Sequence, residues 1–123
     1  MTFTVMKRIE NIYQSSVLYP AAVSGVYTLP NEVRTIGAYA FAHANISEIN
    51  LSNVVSINGF AFEYSALEKT VIPNTTKELG NGVFANCAYL SDITIGSSLS
   101  SLPDNAFLNT FALKEINISN RSH

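Results

Sequence analysis

The sequence predicts an α/β-type repeat solenoid of about four to five coils, with short parallel strands stacked on one face and turns, short strands or 3-10 or helical turns on the other. Three observations carry this. Phenylalanines recur at Phe41, Phe62, Phe84 and Phe107, at intervals of 21, 22 and 23 residues. Each stands five residues after an aliphatic (Ile36, Ile57, Leu79, Leu102) and three before a small residue (Ala44, Ser65, Cys87, Thr110). After each block comes a segment patterned on apolar residues at its first, fourth and sixth positions: Ile46, Ile49 and Leu51, then Leu67 and Ile72 with Thr70 in the fourth place, then Leu90, Ile93 and Ile95, then Leu113, Ile116 and Ile118. Chance spacing of one residue type would not carry the other columns with it.

Physical chemistry assigns each part of the repeat its place. Alternation with period two at the end of the segment describes a short strand with one buried face. The stretch around Ala40-Phe41, Ala61-Phe62, Val83-Phe84 and Ala106-Phe107 carries the turn that returns the chain to its next strand. The phenylalanine fills the middle of the coil, and the small residue after it lets the chain pack closely. A single coil cannot bury its apolar face, so coils stack, each touching only its neighbours.

The ends fit less well. Residues 1–28 read as an N-terminal cap or degenerate repeat, in which Ile9, Ile12, Val17 and Leu18 cover the first coil and Ser24 to Leu29 form a weak first strand. Residues 29–120 are the repeat domain. At its end Phe111, Leu113, Ile116 and Ile118 form an open strand edge, a liability for pairing with another chain. Arg121-Ser122-His123 reads as a cloning or tag remnant.

The pattern L-x-x-I-x-L-P…L-x-x-I-G-x-x-A-F-x-x-C resembles the BspA-like leucine-rich repeats of bacterial and protozoan surface proteins. Here it stands in Leu29-Pro30, in Ile36-Gly37-Ala38-Tyr39-Ala40-Phe41, in Ile72-Pro73 and Leu79-Gly80, and in Phe84-Ala85-Asn86-Cys87. The likeness covers about residues 29–118. It departs at Asn58 and Pro103, where glycine is expected, and at Thr70, where an aliphatic is expected, so the second and third coils are expected to be less regular. The resemblance implies adhesion or host-protein binding at a cell surface.

Composition narrows the function classes. A net charge of −2 and 13% charged residues, with the seven Lys and Arg scattered, lack the clustered basic face of a nucleic-acid binder. No apolar run approaches the roughly 18 residues needed to span a bilayer. Residues 1–19 mix polar and apolar side chains, unlike a signal peptide, and the location stays open. One cysteine, Cys87, allows neither an internal disulfide nor a cysteine-cluster metal site, and no cofactor motif is present.

The residues flanking the buried strand positions form the candidate partner-binding face: Glu48 and Asn50, Lys69 and Val71, Asp92 and Thr94, Glu115 and Asn117, continued by Ser52, Pro73, Gly96 and Ser119. Strands about 4.8 Å apart make each set a ladder of near neighbours, and the first reads acid, base, acid, acid. Asp92 beside Glu115 has the carboxylate spacing of a retaining glycosidase. On an open sheet, however, nothing desolvates either group, and a solvated charge ladder is the better reading. His43 reads as a surface residue at a coil corner and Cys87 as a buried structural thiol. Gly80-Asn81-Gly82 reads as a turn. Asn-x-Ser/Thr triplets at Asn45, Asn50, Asn74, Asn117 and Asn120 follow from a composition rich in those residues.

The expected function is therefore a non-enzymatic binding module for a macromolecular partner, with protein expected, nucleic acid and membrane insertion not. The alternative is a structural repeat protein that associates through its C-terminal coil as a homodimer or end to end.

Overall fold

The computed structural model describes residues 25–119. The remainder of the cap at 1–24 and the remnant at 121–123 lie outside the described residues. Eight strands follow in order: β1 (Gly25–Thr28), β2 (Thr35–Ile36), β3 (Ile46–Asn50), β4 (Ser56–Ile57), β5 (Lys69–Val71), β6 (Glu78–Leu79), β7 (Asp92–Ile95) and β8 (Glu115–Ile118). The longer strands build one parallel sheet in the order β1-β3-β5-β7-β8, and the two-residue strands a second, β2-β4-β6. The weak first strand expected from Ser24 to Leu29 is β1, paired with β3.

The chain thus winds a solenoid of about four turns, as the repeat predicts. The α/β label needs correction, because no helix occurs among the described residues. The reason lies in the turns around each phenylalanine. Their backbone enters the left-handed region twice, two residues before the ring and two after: Tyr39 and His43, Phe60 and Tyr64, Gly82 and Asn86, Asn105 and Asn109. Two such positions four residues apart leave no room for even one right-handed helical turn. These turns bond from coil to coil instead, with Phe41 N donating to Ala61 O at 2.8 Å and Phe62 N to Val83 O at 3.0 Å.

The core runs down the middle as columns. Phe41, Phe62 and Phe84 are fully buried and stack with centroids 5.3 and 5.5 Å apart, and Phe107 continues the stack at 5.9 Å. In the small-residue column, Ser65 Oγ and Cys87 Sγ lie 3.4 Å apart, and Cys87 Sγ donates to Phe62 O at 3.0 Å. Burial pushes the Cys87 thiol above its ordinary pKa, and the hydrogen bonds from Ser65 only partly oppose this.

The irregular coil is the fourth, rather than the second and third. Asn58 N and Gly80 N donate to Ile36 O and Ile57 O of the preceding coils at 2.9 and 2.7 Å. The same column reaches Pro103, which has no N–H to give, and no return strand forms beside it. Leu102 is correspondingly exposed. Thr70 is absorbed without disruption: it is buried, and its hydroxyl donates to Ile49 O at 3.3 Å. Gly80 is required by close approach, since a Cβ there would fall 2.2 Å from Gly59 N.

Candidate functional site

The alternation that buries Ile49, Thr70 and Ile93 turns their neighbours outward, so the strand face carries the expected residues. Their register is that of one ladder. Glu48 pairs with Lys69, Lys69 with Asp92 and Asp92 with Glu115, while Val71 pairs with Thr94 and Thr94 with Asn117. All eight are exposed or half-buried. The structure extends both ladders at the N-terminal side: Val26 pairs with Glu48 and Thr28 with Asn50. Val26 is exposed and, with Val71, gives the face two apolar points. Its signal in the sequence was the spacing ahead of Leu29-Pro30, blurred by the weak match of that segment to the repeat.

Around the second ladder, where β3 and β5 end, the face has an open cavity of about 300 Å³. Glu48, Asn50 and Ser52 line it from one coil, Val71 and Pro73 from the next, and Ile49 and Leu51 complete it. Local chemistry holds this shape. Asn50 Oδ1 accepts from Ser52 N at 2.9 Å, and Ser52 Oγ donates to Leu29 O at 2.6 Å. These bonds support Ser52 at a φ of +50°, which bends the chain away at the end of β3. The cavity therefore has a polar rim of Glu48, Asn50 and Ser52 facing an apolar rim of Val71 and Pro73.

Asp92 and Glu115 are brought together across β7 and β8, both exposed, with Asn117 Nδ2 donating to Asp92 Oδ1 at 3.3 Å. An open sheet gives such a pair solvation rather than a reaction site. Among the described residues no group of three His, Cys, Asp or Glu is placed to hold a metal ion. The described residues contain no helix long and apolar enough to cross a membrane.

A second exposed surface was not singled out in the sequence. The left-handed turn positions form two outward columns, and in the first two coils aromatic rings occupy them. Tyr39 stacks on Phe60 with centroids 5.4 Å apart and planes within 9°, and His43 on Tyr64 at 5.1 Å and 7°. His43 does sit at a coil corner, but as half of a ring pair. In the later coils the same columns hold Gly82, Asn105, Asn86 and Asn109, and Asn109 Nδ2 donates to Asn86 Oδ1 at 2.8 Å. The constant offset of two residues on either side of each phenylalanine was the legible clue.

Comparison with known proteins agrees with this architecture. The model of the BspA type leucine rich repeat region matches residues 22–123 in six copies. A leucine-rich repeat protein from Eubacterium ventriosum is similar in structure, with a TM-score of 0.75 and 26% identity over 80% of this chain and 27% of its own. The pneumococcal vaccine antigen PcpA is similar with a TM-score of 0.70 and 33% identity, over 80% of this chain and 25% of its own. The chain thus spans about a quarter of the length of these two structures. No curated protein sequence matches it.

Proposed function

Because the chain belongs to the BspA-type leucine-rich-repeat family, we propose that it is a binding module whose strand face docks a protein partner. The observation that carries the reading is the cavity between Glu48, Asn50, Ser52 and Val71, Pro73. It lies on the parallel sheet and has room for a side chain of a partner. A half-apolar, half-polar cavity is the kind of place where an aromatic or aliphatic anchor gains most on binding. Val26 and Val71 flank it as further apolar contacts, and the Glu48, Lys69, Asp92, Glu115 ladder supplies charges that steer and orient an encounter. Leucine-rich-repeat proteins are as a rule non-enzymatic, and an open sheet offers no enclosed site for chemistry. The family suggests adhesion or host-protein binding at a cell surface as the setting, and the likeness to a vaccine antigen fits a surface-exposed protein.

A photo-crosslinking amino acid at Val71, on the face, and at Lys77, on the return side, tests this. Exposed to intact cells and extracellular matrix proteins, the Val71 probe should give a defined protein adduct that Val71→Arg competitor protein fails to suppress and unmodified protein suppresses. The Lys77 probe should give none. Equal adducts from both positions, or none from Val71, would sink the proposal.

A further inference from the structure

The cavity at the ends of β3 and β5 has a definite hydrogen-bonding polarity. Glu48, half-buried in its lining, makes no hydrogen bond or ion pair with any described residue. Lys69, its register partner on β5, makes none either and does not line the cavity. Ser52 Oγ commits its one hydrogen to Leu29 O at 2.6 Å and is left to accept. Asn50 Oδ1 takes Ser52 N at 2.9 Å and keeps a second lone pair. Among the lining residues only the Asn50 amide nitrogen still has side-chain hydrogens to donate. Facing this acceptor-rich rim stand Val71, 58% exposed, and Pro73, whose side chains carry no polar atom.

We propose that this cavity receives a basic side chain, lysine or arginine, from a protein partner. The inference rests on the reading of the strand face as a docking surface and adds the chemistry of the anchor. An ammonium or guanidinium donates several hydrogen bonds and accepts none, which is what a rim of acceptors requires. Its positive charge meets the one charged group of the lining, the Glu48 carboxylate, in a charge-assisted hydrogen bond. The hydrocarbon stem behind that head lies along Val71 and Pro73, as such stems cover apolar surface while the head stays polar. An anchor apolar along its whole length would take water from Glu48 and return no partner to it, and an acidic anchor would be repelled. Charge, hydrogen-bond polarity and the apolar wall thus select the same class of side chain.

Short glycine-flanked peptides, capped at both ends and carrying one central arginine, lysine, norleucine or glutamate, test this by NMR titration of the isotope-labelled chain. The arginine and lysine peptides should shift the backbone signals of Ser52 and Val71 and saturate. The norleucine peptide should bind the same place more weakly, and the glutamate peptide should not bind. Glu48→Gln should weaken the arginine peptide about threefold, the size of a solvated ion pair, and leave the norleucine peptide unchanged. Added salt should act on the arginine peptide in the same direction. Glu78→Gln, on the return sheet, should weaken neither peptide, and both variants should keep the circular dichroism of the parent. Norleucine binding as tightly as arginine overturns the basic anchor, and so do equal losses from Glu48→Gln and Glu78→Gln. Absence of shifts at Ser52 and Val71 with every peptide overturns it as well. The Val71 cross-link decides the strand-face reading separately: an adduct beside any of these failures leaves the face standing and the anchor wrong.

Discussion

Phe60 packs so closely against the backbone of Gly82 that a Cβ on Gly82 would come within 2.3 Å of Phe60 Cε1. Gly82 also sits at a φ of +63°. Two independent penalties therefore meet at Gly82→Ala. The left-handed backbone costs about 1–2 kcal/mol once a Cβ is present. Overpacking against the ring adds about 1–3 kcal/mol. Thermal unfolding should show a lowered midpoint for Gly82→Ala, and Phe60→Ala in the same chain should restore the packing part and not the backbone part. Strict additivity of the two changes would show that ring and backbone do not press on each other.

The aromatic residues at the other left-handed positions are predicted to be energetically replaceable. Asn is several-fold enriched at positive φ, and it already fills these columns at Asn86 and Asn109. His43→Asn with Tyr64→Asn would lose a stacked pair worth about 0.5–1.5 kcal/mol. The backbone relief is of similar size, so urea unfolding should find the double variant within about 1 kcal/mol of the parent. A loss above about 2 kcal/mol would mean that the ring pair holds the turn in place.

Burial along the phenylalanine stack predicts a gradient. Phe62 and Phe84 are fully enclosed, and replacing either with Ala should cost about 3–5 kcal/mol. Phe107 has neighbours on one side only in the described structure, and Phe107→Ala should cost less than half as much. Equal losses at Phe62 and Phe107 in denaturant titrations would show that the end of the stack is covered in solution.

How far the sequence could be read is clear from particular columns. The strand ladder was legible because Ile49, Ile93 and Ile116 repeat one residue type at one spacing, and the register of Glu48, Lys69, Asp92 and Glu115 followed from it. A further buried column, Val33, Val54, Thr76 and Leu99, escaped because Thr76 interrupts its aliphatic series. Thr76 belongs in it only because its hydroxyl donates to Val54 O at 2.8 Å, a bond invisible before folding. The missing helix was illegible for a different reason. Tyr39, Phe60 and Tyr64 are poor candidates for positive φ, so the sequence hid the backbone that excludes it. The cavity depends on the bend at Ser52, which no single-residue preference foretells.

The buried thiol predicts a dependence of stability on alkaline pH. Cys87 is an acid whose folded pKa lies above its ordinary value of 9.0 because burial disfavours the thiolate. Above pH 9 the unfolded chain loses this proton while the folded chain keeps it, so the unfolded state binds fewer protons and stability falls as pH rises. The contribution is fully present below pH 9. Tyr27, raised by burial from 10.0, acts in the same direction at higher pH. Cys87→Ser should flatten the first part of this decline in denaturation midpoints measured from pH 8 upward. An unchanged slope would assign the decline to other groups.

Coil lengths of 21, 22 and 23 residues coexist with a strand ladder that never slips, apart from one irregularity between Gly25 and Val26. Loops absorb the difference, and the address of every core residue is counted from its own phenylalanine rather than from the chain terminus. Sequence edits are therefore judged by arithmetic as much as by chemistry. Cutting out residues 62 through 83 joins Ala61 directly to Phe84, and every column closes up in phase one coil shorter. Removing half as many residues leaves each surviving side chain unchanged and puts the strand of one coil beside the turn of the next. A gene of this kind changes length safely in whole steps, and the strand face shortens or lengthens with it, one row at a time.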